Sequence, residues 1–380
     1  MRPGDAHWRR SLPLYRAAFH APSAAPRQAP GNSLGRRAPT CGDLFRAVGA
    51  FFETDAGRAA LAEGLSAELG QAAVAKALDG LDVFLVKHGQ FYHPCRLEAC
   101  VSGRRARFVL NIAVSDAGRA QLQTEFAALE RLERELGMNF FPRVYGWGTV
   151  QSPLPAAMFL ARWLDGFCEF HARRTGAGKP SVVVWDPEGG DRTLTGPPVL
   201  AIYRRAAAIL AACYNPETFE HVHPWHHAAG DFVVRTGNDT LEVRLVSARS
   251  YGPLFDHDPA DDDGGRLILE ALLVFLLQLS IRMRLDRLNG VDDLVWLHDA
   301  VVEATVRGFF EGLAEGCRAR GMPGESVDFF TAYLGAVDEK DLLALCRQLV
   351  ETHLGDEEKA LVRPRLPEHC RLLRAALRGD

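Results

Sequence analysis

The sequence predicts an α+β protein: a small antiparallel sheet with one prominent helix, followed by a mainly helical half. Three observations carry this. Residues 81–114 contain three successive β-prone runs, LDVFLVKHG, FYHPCRLEACVSG and RRARFVLNIAVS, broken at His88-Gly89 and Ser102-Gly103, which is the texture of a three-stranded meander. The next segment, SDAGRAQLQTEFAALERLERELG, places Leu122, Phe126, Leu129, Leu132 and Leu136 at steps of three or four. They form one apolar stripe behind a potential cap at Ser115. Past residue 199, long runs of helical spacing dominate, at 202–214, 266–288 and 291–317, with further helical patterns to the C-terminus.

The remaining elements follow in order. Residues 1–40 are rich in Arg, Ala and Pro with Asp5 as their only acid, and they lack a continuous apolar core. A disordered tail or an overlong start fits them, and an organellar transit segment is compatible with the same composition. Residues 41–80 are Ala- and Leu-rich with helical spacing and are expected to form a helical extension of two short helices. Residues 81–172 form the sheet region, completed by the strand FFPRVYGWGTV and the apolar run MFLARWLDGFCEFH. Residues 173–198, polar and rich in Gly and Pro apart from SVVVWD, read as a linker or insertion. Within the helical part, 199–380, DFVVRTG and TLEVRLVSARSYG read as two strands around a turn at 237–239.

Composition narrows the function classes. A net charge of −4 and a pI near 6.4 supply no basic footprint for nucleic acid. The longest apolar run, 267–283, contains Glu270 and Gln278 and ends among arginines, so a core helix is expected and no membrane span. Eight scattered cysteines without CxxC spacing are expected to be buried thiols in a reducing compartment, which points to the cytoplasm. Lysine is scarce, at 76, 87, 179, 340 and 359 among 44 Lys and Arg residues.

The stretch HPWHHAAGDFVV, 223–234, is the densest chemical signal. With His221 it gathers four of the thirteen histidines within seven positions, next to Asp231. Three readings stand. A zinc or iron site needs three or four converging ligands, and His223, His226 and His227 are closely spaced for that. His226 can act as an acid or base near neutral pH. The histidines can also be structural hydrogen-bonding groups.

The order of sheet, key helix, hinge-like run, helical lobe and early hairpin over residues 81–320 resembles the protein-kinase-like fold, in the branch of aminoglycoside and choline phosphotransferases. The resemblance implies a two-lobed protein binding ATP with magnesium between its lobes. In KHGQFYHP, which resembles the loop over the phosphates, Gly89 is the sole glycine. Asn111 stands where the nucleotide-binding lysine would be, and Glu125 matches its helix partner. His226 falls at the catalytic aspartate, Asp231 at the metal-binding asparagine, and Ser247, two residues before Arg249, at the second metal aspartate. Asp is a good magnesium ligand, whereas Ser cannot supply the lost charge.

Four of these five positions therefore depart from the pattern. Lys87 at the end of the first strand and the acidic run 256–263 are possible substitutes for the missing cation and carboxylate, and Glu169-Phe170-His171 falls where the fold meets a base or substrate. Each also has a bland reading: a solvated Glu125, a solvent-facing Lys87, a solvated acidic loop. The resulting expectation is a degenerate kinase-like protein that binds a nucleotide, metabolite or protein partner in a regulatory or scaffolding role. The alternatives are a divergent ATP-dependent phosphotransferase or nucleotidyltransferase, and a His-based metal-binding protein.

Overall fold

The meander predicted over 81–114 forms as three strands, β1 (Gly80–Leu85), β2 (His93–Val101) and β3 (Arg104–Ala113), paired antiparallel in sequence. The computed structural model describes residues 39–379 apart from 72–77, 90, 138, 153, 174–180, 187–188, 226–229, 238–239, 256–264 and 291. The chain divides into two units: residues up to 130 with 142–165, and residues 131–141 with 166 onward.

In the first unit α1 (Cys41–Glu53) and α2 (Asp55–Leu69) precede β1, and α3 (Asp116–Leu136), whose residues from 131 on fall in the second unit, β4 (Val144–Val150) and β5 (Ala156–Arg162) follow β3. The sheet order is β1-β2-β3-β5-β4. Each helix starts at a residue suited to it. Thr40 accepts the Asp43 N–H while Asp43 accepts the Thr40 N–H, Thr54 accepts the Gly57 N–H, and Ser115 accepts the Gly118 N–H.

Strand alternation sorts the sheet into two faces. Phe108, Leu110 and Ile112 of β3 join Met158 and Leu160 of β5 in one core with Leu44, Val48 and Phe51 of α1 and Leu61 and Leu65 of α2. Residues 41–69 are thus a wall of this core. Close approach of α2 explains two glycines, since a Cβ at Gly64 would lie 2.7 Å from the Phe108 ring and one at Gly146 would lie 2.9 Å from Ala60 Cβ. On the odd-numbered face, Asn111 pairs with Phe159, and Phe126 of α3 packs on Phe159 and Trp147 at 5.9 and 6.5 Å between rings.

The second unit departs from the expectation of helices plus a hairpin. The hairpin forms as β10 (Phe232–Thr236) and β11 (Leu241–Leu245), but it belongs to a second five-stranded antiparallel sheet of order β11-β10-β6-β7-β8. Its other strands are β6 (Cys168–Ala172), β7 (Ser181–Trp185) and β8 (Arg192–Thr195), so two of them come from the segment read as a linker. β6 and β7 are almost wholly buried, which makes them apolar runs without the alternation that marks a half-exposed strand.

Around this sheet lie α4 (Pro197–Cys213), the core helix α5 (Arg266–Met283), α6 (Ala300–Ala319), α7 (Glu325–Ala336), α8 (Glu339–His353), α9 (Asp356–Val362) and α10 (Leu366–Arg378). Two short pairs complete the unit, β9 (Glu220–Val222) with β12 (Tyr251–Pro253) and β13 (Leu285–Arg287) with β14 (Leu294–Trp296). All eight cysteines are free thiols, six of them buried. Among the described residues no helix is long and apolar enough to cross a membrane.

Candidate functional site

In the second unit, β9 leads into His223 and Pro224, Asp231 stands at the entry to the hairpin, and β10 begins one residue later. The return segment 246–250 runs alongside these residues. Val246 N–H donates to the Asp231 carbonyl at 2.8 Å, and His223 N–H donates to the Ser250 carbonyl at 3.0 Å. Asp231 is thereby fixed at the mouth of the hairpin and is 1% exposed.

Its carboxylate does not face an open site. Arg249 donates from Nη1 to Oδ2 at 2.7 Å and from Nη2 to Oδ1 at 2.5 Å, a bidentate pair with Asp231 buried and Arg249 mostly so. Arg249 Nη1 also reaches the Pro224 carbonyl at 3.3 Å. Both oxygens that would hold magnesium are engaged by a guanidinium, and nearby Ser247 is a buried neutral hydroxyl. The position carries an internal cation where the resemblance implies an external one.

Of the other second-unit residues singled out, His226 and His227 lie outside the described residues, as does the acidic run 256–263. His221 is buried and stacks on His223 at 4.7 Å, while His223 Nδ1 lies 3.2 Å from the His221 carbonyl. No group of three or more His, Cys, Asp or Glu side chains able to hold a metal occurs among the described residues.

The first-unit residues are equally specific in their placement. Glu125, which the bland reading took as solvated, is 0% exposed and accepts the Tyr92 hydroxyl at 3.1 Å. Asn111 is buried on the sheet face that meets α3. Lys87 is exposed. A Cβ at Gly89 would sit 2.4 Å from the Tyr92 carbonyl, so the loop's own turn requires a glycine there whether or not it binds phosphate.

Comparison with known family models and with curated proteins finds no match for this chain.

A polar cluster that sequence reasoning only grazed lies under the second sheet. His171 on β6 is 1% exposed, rests against Trp185 at 4.1 Å, and neither ring nitrogen has a hydrogen-bond partner among the described residues. Glu169 lies 3.7 Å from His171 Nε2, and its carboxylate would clash with any Cβ at Gly230, whose φ is +69°. Asp286, 0% exposed, accepts the Ala172 and Arg287 N–H groups at 3.1 and 2.7 Å. Burial pushes its carboxyl up to about 7, opposed by those donors and by His171. Nothing in the LDRLNG sequence around Asp286 marks it as buried, because the strand it meets through Ala172 lies more than a hundred residues earlier.

Buried titratable groups make the fold acid-sensitive in a way that can be measured. Burial lowers His221 to about 4 and His369, whose Nε2 meets Ser280 Oγ at 3.1 Å, to about 3. Between those values and the ordinary 6.5 the unfolded chain carries protons that the folded chain refuses, so both histidines make stability fall as pH drops through this window. Asp286 acts oppositely, since near pH 5 the folded state holds a proton that the unfolded state has released. The slope of unfolding free energy against pH near 5, from urea titrations, is expected to decrease by about 1.4 kcal/mol per pH unit in His369→Asn and to increase by about the same in Asp286→Asn.

Proposed function

We propose that this chain is a degenerate kinase-like protein that has lost phosphoryl transfer and serves as a binding module for a nucleotide, metabolite or protein partner in a regulatory or scaffolding role. The observation that carries the reading is the Asp231–Arg249 pair. In kinase-type phosphoryl transfer an asparagine and an aspartate offer open oxygens to magnesium, whereas here the first position is an aspartate whose two oxygens are taken by a bidentate arginine and the second is Ser247.

The layout supports the kinase-like part of the reading. One sheet of order β1-β2-β3-β5-β4 carries a single helix between its third and fourth strands, with a buried glutamate, Glu125, on that helix. In the second unit a short strand, the histidine loop and the β10–β11 hairpin follow helix α4.

Thermal unfolding with ATP, alone and with Mg²⁺ or Mn²⁺, tests the proposal. Metal-independent stabilisation by ATP, or none, together with no transfer of the γ-phosphate, is expected. Stabilisation that requires the metal and disappears in Asp231→Ala would instead establish the divergent phosphotransferase or nucleotidyltransferase, with Asp231 as metal ligand and Lys87 as a phosphate contact. Zinc retained through purification in stoichiometric amount would establish the His-based metal protein.

A further inference from the structure

A cavity of about 190 Å³ opens in the second unit between the start of the histidine loop and helices α5 and α8. Its walls divide by chemistry. Trp225, Leu254, Phe275 and Leu279 form an apolar side, and His221, His223, Arg282 and His353 supply polar groups, with no carboxylate among the described lining residues. Pro253 and His353 are exposed and mark the mouth.

Two of the polar groups are under-used by the fold. Arg282 donates one bond, from Nη2 to the His353 carbonyl at 3.2 Å, and no described carboxylate lies within ion-pair reach of it. Glu358, whose charge is felt at Arg282, accepts the Gly355 N–H that starts α9. His221 is 8% exposed, and its Nδ1 has no hydrogen-bond partner among the described residues. Among the described residues this half-buried guanidinium has no counter-ion, and the buried imidazole beside it leaves Nδ1 unbonded, so hydrogen-bonding capacity there is unmet.

We propose that this cavity binds a small organic monocarboxylate with a ring-sized apolar body, its carboxylate on Arg282 and its body against Trp225 and Phe275. Guanidinium geometry matches a carboxylate with two parallel N–H donors. The size fits, because an apolar cavity of about 150 Å³ already accepts benzene. The proposal does not rest on the kinase-like reading, since it is argued from the cavity and from the contacts of Arg282 and His221.

Benzoate is the probe, titrated into the full chain by calorimetry at constant ionic strength against chloride. Saturable one-to-one binding is expected, with benzyl alcohol, the neutral analogue of similar shape, binding at least tenfold more weakly to the same unmodified protein. Arg282→Met, which keeps the stem, is expected to weaken benzoate binding at least tenfold while leaving benzyl alcohol unchanged. Absence of saturable benzoate binding at millimolar concentration overturns the proposal. Equal affinity for benzoate and benzyl alcohol overturns it too, since it would make the cavity merely apolar; that comparison needs no variant to fold.

Discussion

Arg249→Met is expected to lower the unfolding free energy by about 3–5 kcal/mol, the largest single effect among the charged residues, because it leaves the carboxylate of Asp231 buried without its cation. The double change Asp231→Asn with Arg249→Met removes both charges, and it is expected to recover a good part of that loss. Denaturant midpoints of the two singles and the double close the cycle, and a coupling energy near zero would mean that the pair contributes nothing. The same variants bear on function. If Arg249 merely occupies a magnesium site, its removal frees Asp231, and Arg249→Met would gain a metal-dependent response to ATP absent from the parent chain. The proposed loss of chemistry predicts no such gain, because Ser247 still provides no second anion.

Gly312→Ala is expected to destabilise by about 2–3 kcal/mol, although alanine is favoured over glycine in a helix interior by about 1 kcal/mol. Gly308, Gly312 and Gly316 lie on one stripe of α6, and a Cβ at each would come within 2.0, 1.9 and 2.5 Å of the carbonyl oxygens of Arg204, Ala208 and Ala212 on α4. The facing stretch of α4, Ala206 to Ala212, is alanine-rich and fully buried. Backbone meets backbone, so there is no flexible side-chain end to move aside. Gly335→Ala in α7 is the control. Its nearest neighbour would be the Leu377 carbonyl at an ordinary 3.7 Å, and the same change there is expected to be neutral or stabilising by up to about 1 kcal/mol. Urea denaturation of the two variants side by side checks the opposite signs, and equal effects would mean that the α4–α6 approach is less close than described.

Much of the fold was legible where burial follows a local period. The meander β1–β3 was bounded by its turn residues, α3 by its stripe and the Ser115 cap, and the hairpin β10–β11 by the turn between two apolar runs. Where periodicity fails, the reading failed with it. The strands β6 and β7 are buried on both faces, so they carry no alternation, and the second sheet went unseen. The stripe Leu44, Val48 and Phe51 announces a helix, but nothing in its spacing says that the helix packs on a sheet whose strands lie 30 to 110 residues later.

The candidate site divides in the same way. Asp231 was found from the sequence because it stands at a fixed offset before a recognisable strand, and Glu125 because it sits on a marked helix. What each contacts is set by residues elsewhere in the chain: Arg249 across the hairpin for the first, Tyr92 from the loop before β2 for the second.

By itself the sequence determined the α+β class and the extents of the β1–β3 meander, of α3 and of the β10–β11 hairpin, because hydrophobic period and turn chemistry are written along the chain. Tertiary structure alone decided that Asp231 is already neutralised, that Asp286 and His171 are buried together beneath a sheet, and that His221, Arg282 and His353 meet around one cavity. The physical reason is that charge pairing and desolvation depend on distance in space, and the groups concerned here are brought together from segments 18 to 132 residues apart.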